Sequence, residues 1–285
     1  MEKVYEGYLV EIFRASESLY FRKADLYTRV QCNGAFLIGN GSVGIVDVPS
    51  LEAASEMVDE AARLFNLPIK YIFLTHGHND HVTGLPYFWE KDVTIFCSSK
   101  LVSALPFDDA RLRATIVGVD GVMRLNMCGL PITLNALPET AHSPWDMFVS
   151  LPNEKIVCAG DAVVEYETLF FHGAMIENWI RTLEVLSKDD LLFIAPGHGP
   201  VYPYDYMKNV CEYLKTLLRT AKKCFSQLSK EQIDNITSEQ VRKTADIALS
   251  GDDADVREII AKAGDNANRE VSMVLWYLIK CVWLS

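Results

Sequence analysis

The sequence contains no apolar run long enough to cross a bilayer, and its first residues lack the apolar core of a signal peptide. Charged side chains at Glu2, Lys3, Glu6 and Glu11 interrupt the N-terminal segment. The seven cysteines are odd in number, scattered and without a CxxC pair. This usage is typical of small buried side chains in a reducing compartment, so we expect a cytoplasmic protein.

Basic charge is also scarce. The 285 residues include 27 Lys and Arg against 38 Asp and Glu, which gives a formal net charge of -11. No run of Lys and Arg suggests a local basic groove. Because such a chain repels phosphate backbones and anionic lipid surfaces, we expect no nucleic-acid partner and no membrane partner. A small-molecule substrate is the expected partner, within a chain long enough for one large domain and a smaller appendage.

The first two thirds of the sequence alternate short β-rich runs with turns and helices. The apolar runs 34–39 and 42–48 are joined at Asn40-Gly41, which is the strongest short-range signal for a β-hairpin. Ser50 can cap a helix over roughly 51–65. Further strands are predicted over 69–75, 93–97, 146–151, 155–159 and 191–195. Strands interleaved with helices predict an α/β layered fold.

The pattern changes after about residue 205, where apolar residues recur at helical spacing. The sequence therefore predicts two parts, an α/β domain over 1–204 and an all-helical cap over 205–285. The apolar stripes of the cap are explained by packing on the body, and a homodimer through the cap is a further option.

Histidine is rare, and its placement is informative. Three of the six histidines fall in one short segment, together with a carboxylate: His76, His78, Asp80 and His81. The segment follows a predicted buried strand directly, so a glycine-containing loop can turn these side chains toward one point. Imidazole nitrogens and carboxylate oxygens are the ligands that Zn²⁺ and similar metals prefer. A solvated loop that merely happens to be rich in histidine is the alternative.

Three more potential ligands occupy equivalent positions. His142 precedes a predicted strand, Asp161 ends one in Cys158-Ala-Gly-Asp161, and His198 follows one in Pro196-Gly-His-Gly199. Each would be weak evidence alone. Loops at strand ends are where layered α/β folds place their active sites, so the shared placement favours a metal centre.

The order HxHxDH, separate His, Gly-Asp and PGHG resembles the metallo-β-lactamase superfamily over about residues 34–200. Asp47 matches the first, structural aspartate of that family. The resemblance implies an αββα sandwich with two metal ions at one edge of the sheets. It implies that His76, His78 and His142 bind the first metal, that Asp80, His81 and His198 bind the second, and that Asp161 bridges both.

The resemblance also implies a mechanism. A hydroxide that bridges two divalent metals, Zn by expectation with Fe or Mn as options, would be the nucleophile, because metals lower the pKa of bound water. Asp80 would orient it as a catalytic residue. True β-lactamases of the superfamily lack the bridging aspartate, so the pattern is more similar to the glyoxalase II, lactonase and arylesterase branch. We expect a hydrolase of an ester, thioester or lactone.

Three residues are candidates for substrate binding. Trp145 stands where many members have glycine, and it either lines the substrate pocket or begins a core strand. His172 lies beyond the bridging aspartate in the sequence, and Tyr206 opens the cap. The first cap helix begins a few residues after His198, which leads us to expect that the cap roofs the metal site and supplies selectivity.

Other functions remain open at this point. A mononuclear iron enzyme similar to persulfide dioxygenases would use a His, His, Asp set, although the full second set favours hydrolysis. A regulatory protein could keep the fold without catalysis. RNA or DNA cleavage is disfavoured by the charge and by the absence of a recognisable inserted nuclease domain.

Overall fold

The computed structural model describes residues 1–7, 10–24, 32–105, 114–164, 169–186 and 190–283. These residues form two compact units by their contacts. The first comprises Met1–Val164 with Asp189–Tyr204, and the second comprises Glu165–Lys188 with Asp205–Ser285. Among the described helices, none is long and apolar enough for a bilayer crossing.

The first unit begins with an eight-stranded mixed sheet in which the strands follow one another in chain order. The first five strands pair antiparallel, and the last three pairings are parallel. The strands are β1 (Glu2–Glu6), β2 (Val10–Arg14), β3 (Leu19–Ala24), β4 (Gly34–Gly39), β5 (Ser42–Val46), β6 (Ile69–Phe73), β7 (Thr94–Ser98) and β8 (Thr115–Val119).

Local sequence explains the centre of this sheet. Strands β4 and β5 pair with Gly39 opposite Ser42, so the two residues between them form the tight turn and the predicted hairpin is confirmed. Helix α1 (Leu51–Phe65) follows, and its Ser50 side chain accepts from the Ala53 backbone N–H at the predicted N-cap. Short helices α2 (Asn79–Val82) and α3 (Ser99–Val102) follow β6 and β7.

A second sheet has six strands in the order β14-β13-β12-β11-β10-β9. Its pairings are antiparallel except for the parallel pair β12 and β13. The strands are β9 (Val122–Met127), β10 (Leu130–Ala136), β11 (Met147–Leu151), β12 (Ile156–Gly160), β13 (Phe193–Pro196) and β14 (Tyr202–Pro203).

The two sheets pack face to face. One buried apolar cluster joins Phe21, Leu37 and Phe73 of the first sheet to Ile132 and Val149 of the second. A separate cluster lies between the other face of the first sheet and α1, through residues such as Met57 and Ile45. Two mixed sheets with helices agree with the layered α/β fold that the sequence predicts, and a C-terminal helical region is present in addition.

The helical unit contains six described α-helices. They are α4 (Ile176–Leu186), α5 (Tyr206–Ser226), α6 (Lys230–Asp234), α7 (Ser238–Leu249), α8 (Ala254–Ala263) and α9 (Ala267–Tyr277). Apolar residues at helical spacing on α5, such as Val210, Leu214 and Leu217, are all fully buried. This explains the periodicity noted in the sequence.

The sequence-based boundary near residue 205 coincides with one limit of the second unit. The contacts also assign the segment 165–188, which carries α4, to that unit. A sulfur–carbonyl contact of 3.8 Å from Cys211 on α5 to Ile180 on α4 is one of the links between these helices. Whether the two parts behave as separate domains stays a prediction.

Candidate metal centre

The potential ligands lie in segments that follow or connect strands, and His142 lies in the segment that connects β10 to β11. The segment that carries His76 and His78 leaves β6, and His81 lies in α2, the short helix that follows. Asp161 comes directly after β12, and His198 comes two residues after β13. Since β12 and β13 are parallel neighbours, their C-terminal ends meet at the same edge of the second sheet.

The structure brings all seven predicted ligands together in two groups. In each group the candidate ligand atoms lie within 4.8 Å of one another. The groups are His76, His78, His142 and Asp161, and Asp80, His81, His198 and Asp161. This division is the same as the one that the sequence predicts, and Asp161 belongs to both groups.

The first group is a cluster of three imidazoles. His78 Nδ1 lies 3.0 Å from His76 Nε2 and 3.1 Å from His142 Nε2. The three rings meet edge to face, with interplanar angles of 86° to 88°. Nitrogens bound tetrahedrally to Zn²⁺ at ~2.05 Å would be about 3.3 Å apart, so the cluster fits a metal ion.

The second group surrounds the other side of Asp161. Asp161 Oδ1 lies 3.2 Å from His81 Nε2, and His198 Nε2 lies 3.2 Å from Asp80 Oδ2 and 3.4 Å from Asp161 Oδ2. His81 Nε2 and Asp161 Oδ1 are buried without a hydrogen bond of acceptable geometry. Buried polar atoms are rarely left unpaired, so these two atoms also fit a coordinated ion.

Protonation states support the same interpretation. Burial lowers the pKa of His76 well below its usual value and that of His142 to about 3, so both rings are neutral. Burial opposes ionisation of Asp161, but the charges of His198 and His81 outweigh it and hold its pKa well below the usual range. Burial likewise opposes a charged His198, but Asp161 and Asp80 raise its pKa to about 9. A metal ion at this site would displace the His198 proton.

Asp47 forms hydrogen bonds to Thr75 and His81, which is consistent with the structural role that the sequence resemblance implies for it. Its Oδ1 accepts from the Thr75 backbone N–H at 2.7 Å, and its Oδ2 accepts from the Thr75 hydroxyl at 2.7 Å. Oδ2 also lies 2.8 Å from His81 Nδ1, which directs the other ring nitrogen of His81 toward Asp161. Such partners fix the tautomer and orientation of a ligating imidazole.

Asn33 is a site residue that the sequence does not indicate. Its side-chain amide donates to the carbonyls of Pro196 at 3.1 Å and Gly199 at 2.7 Å, and its backbone N–H donates to the Gly197 carbonyl at 2.7 Å. These three bonds hold the loop that carries His198. No motif connects two positions so distant in the chain, so only the fold reveals the contact.

Gly197 is a second residue whose role appears only in three dimensions. A Cβ atom built on it would lie 1.9 Å from Asp161 Oδ1 and 3.0 Å from His81 Cε1. The backbone of residue 197 therefore passes directly against the shared carboxylate, and no side chain fits between them. The PGHG motif needs its first glycine for this close approach.

The three predicted substrate residues lie in different surroundings. Trp145 is half-buried and packs against Gly77, where an added Cβ would lie 2.8 Å from the indole ring. It thus supports the backbone between His76 and His78, and its contact with substrate stays a prediction. His172 and Tyr206 both belong to the helical unit, where Tyr206 opens α5. Their roles also stay predictions.

The match to a known family agrees with this geometry. The family described as the metallo-beta-lactamase superfamily matches residues 27–198, which is more than half of the chain. The chain belongs to the metallo-β-lactamase superfamily. Proteins of this superfamily are typically hydrolytic enzymes that bind divalent metals, and both His/Asp groups of this member could hold such ions.

Individual relatives are distant. A metallo-β-lactamase from Chryseobacterium indologenes is 23% identical over 58% of this chain and 71% of its own length. An atrochrysone carboxyl ACP thioesterase from Paecilomyces divaricatus is 22% identical over 72% of this chain and 62% of its own length. A beta-lactamase-like protein 2 homolog from Caenorhabditis elegans is 24% identical over 74% of this chain and 70% of its own length.

Solved structures show the same fold. A metallo-β-lactamase from Pontibacter korlensis superposes with a TM-score of 0.62 at 17% identity, covering 72% of this chain and 99% of its own. One from Erythrobacter litoralis also gives a TM-score of 0.62 at 17% identity, covering 74% of this chain and 98% of its own. At such identities the likeness concerns the fold alone.

Proposed function

We propose that this protein is a binuclear metallohydrolase that cleaves an ester, thioester or lactone. The observation that carries the proposal is the shared carboxylate, because Asp161 belongs to both ligand groups. Two dications placed close together repel each other, and a carboxylate between them offsets that repulsion. The thioesterase among the relatives supports the substrate class.

The residues of the site have different roles in the proposed reaction. Five imidazoles and two carboxylates hold the ions, which when bound lower the pKa of a water molecule and polarise the substrate carbonyl. Burial opposes the charge of Asp80, but the hydrogen bond from His198 and the charge of His81 lower its pKa. Asp80 is therefore ionised at neutral pH and can accept a hydrogen bond from the attacking water. This hydrogen bond orients the water molecule.

The test combines metal analysis with hydrolysis of a substrate panel. Metal-replete protein is assayed with p-nitrophenyl acetate, an acyl thioester, a lactone and a β-lactam. We expect about two zinc, iron or manganese ions per chain and a kcat/KM for the acyl panel well above that for the β-lactam. One iron per chain together with oxygen consumption on a persulfide would refute the proposal in favour of a dioxygenase.

Asp161→Asn sharpens the test, and Asp59→Asn on the exposed face of α1 is its matched control. We expect Asp161→Asn to lower kcat by about 100-fold or more while the secondary structure persists, because β12 forms without that side chain. The control variant keeps wild-type turnover. A folded Asp161→Asn variant with unchanged metal content and turnover would show that the carboxylate does not bridge.

A further inference from the structure

The helical unit contains a cavity of its own, with a volume of about 570 Å³. The segment 171–175, helices α7 and α9, and Lys280 just beyond α9 form its walls, and all of these belong to the second unit. Pockets for small ligands have volumes of roughly 300–1,000 Å³, so the cavity is large enough for one.

Aromatic and thioether side chains form the body of this cavity. They include Phe171, Met273, Trp276 and Tyr277. The Tyr277 hydroxyl donates to Glu177 at 2.7 Å, which fixes its ring as a wall, and Glu177 in turn pairs with Lys222 at 3.1 Å. Flat rings and polarisable sulfur favour an aromatic or similarly flat apolar ligand.

The charged side chains that line the cavity are all cationic: Arg242, Arg269 and Lys280. No Asp or Glu occurs among the described lining residues. In a chain with a net charge of -11, a cavity with only positive charges is a local departure from the overall balance. It favours an anionic ligand.

Two of these cations differ from most cations of the unit. Most described Lys and Arg side chains there form ion pairs with carboxylates: Lys208, Lys215, Arg219, Lys222, Lys223, Lys243, Arg257 and Lys262. Arg242 and Lys280 are exposed, and within the described part of the chain neither pairs with a carboxylate, which is also true of Lys230 outside the cavity. Lys280 Nζ lies 4.9 Å from the centroid of the Trp276 ring, which holds the ammonium at the aromatic wall.

We propose that this cavity binds an organic carboxylate with a flat aromatic body, whose carboxylate pairs with Arg242 and Lys280. A guanidinium presents two parallel N–H groups that match a carboxylate, and such charge-assisted pairs are stronger than neutral hydrogen bonds. Hydrolysis of an ester, thioester or lactone releases a carboxylate, so the ligand belongs to the product class of the proposed function. The binding itself does not depend on that function.

The test uses isothermal titration of the metal-loaded protein with 2-naphthoate and with 2-naphthamide, a neutral probe of the same shape. We expect the anion to bind at least about tenfold more tightly, because only it can pair with the two cations. Equal affinities for the two probes would overturn the proposal.

Variants locate the binding. Arg242→Gln and Lys280→Gln should each weaken 2-naphthoate binding about tenfold, and leave 2-naphthamide binding unchanged. Arg257→Gln is the matched control, since Arg257 is exposed on the same unit, lies outside the cavity lining and pairs with Asp252. Unchanged 2-naphthoate affinity in both cavity variants would refute the assignment.

A last variant distinguishes binding of the probe in this cavity from binding of the probe at the metal centre. Asp161→Asn should bind 2-naphthoate with wild-type affinity, because the cavity lining lies entirely in the helical unit. Loss of binding in that variant would place the probe on the metal ions and overturn the inference. A chain that binds 2-naphthoate through Arg242 but hydrolyses no acyl substrate would contradict only the proposed function.

Discussion

Replacing Gly197 by alanine places one methyl group against the shared carboxylate. The new Cβ would start 1.9 Å from Asp161 Oδ1, whereas real Cβ atoms essentially never approach another atom closer than 3.0 Å, so a shift of at least 1.1 Å is required. Metal–ligand distances tolerate only about ±0.2 Å. The carboxylate or the His198 loop must therefore leave its position, and Asn33 resists movement of the loop through three hydrogen bonds.

We expect Gly197→Ala to weaken metal binding by about 10–100-fold, equivalent to about 1.4–2.7 kcal/mol. Equilibrium dialysis against buffered zinc, followed by elemental analysis, measures the affinity directly. Thermal unfolding with and without zinc gives a second readout, because bound metal stabilises the folded state by RT ln(1 + L/Kd), where L is the free zinc concentration. With free zinc well above both Kd values, the variant should lose about 1.4–2.7 kcal/mol of that stabilisation.

Gly39→Ala is the matched control. Its Cβ would lie 2.4 Å from the Met127 carbonyl oxygen, so it is similarly crowded, but none of its three nearest atoms belongs to a ligand. This variant should lose stability and keep wild-type zinc affinity. If folded Gly197→Ala retains two ions at wild-type affinity, the carboxylate does not sit where the ions bind and the reasoning fails.

Three further predictions concern the supporting structure. Asp47→Asn should lower metal affinity about 10–100-fold with little change in secondary structure, as measured by dialysis and circular dichroism, and wild-type affinity would contradict it. Arg22 is fully buried, and its Nε lies 2.8 Å from Glu60, so Arg22→Met should lower the unfolding free energy in urea by about 3–5 kcal/mol, with recovery in Arg22→Met/Glu60→Leu; equal losses in the single and double variants would contradict this. Burial raises the pKa of Glu270 from 4.5 to about 7 despite its hydrogen bond from Tyr213 at 2.5 Å. Because the folded state favours the protonated form, stability falls as pH rises from 4.5 through 7, by about 3 kcal/mol in total. Glu270→Gln should remove this dependence, and parallel pH profiles of unfolding free energy in the two proteins would refute it.

The sequence was sufficient to predict several elements whose structure is decided by residues close together in the chain. The Asn40-Gly41 turn, the Ser50 cap and the helical periodicity of α5 are each formed by residues close in the chain. Strands β1 to β3 and β8 to β10 lie outside the strands predicted from the sequence. Strands β9 and β10 pair across the tight turn Cys128-Gly129, and β10 alternates buried with half-buried residues, so this hairpin is local although the interpretation of the sequence did not include it.

The sequence by itself predicted the set of candidate ligands, because the His and Asp residues share a placement on loops beside strands and their order resembles one superfamily. Only the tertiary structure decided how closely the candidate ligand atoms approach one another, why residue 197 must be glycine, and why Asn33 matters, since these depend on atoms far apart in the chain. The same holds for the cavity of the helical unit. Two whole helices, α8 and α9, lie between Arg242 and Lys280 in the sequence, and only the packing of α7 against α9 places them around one space.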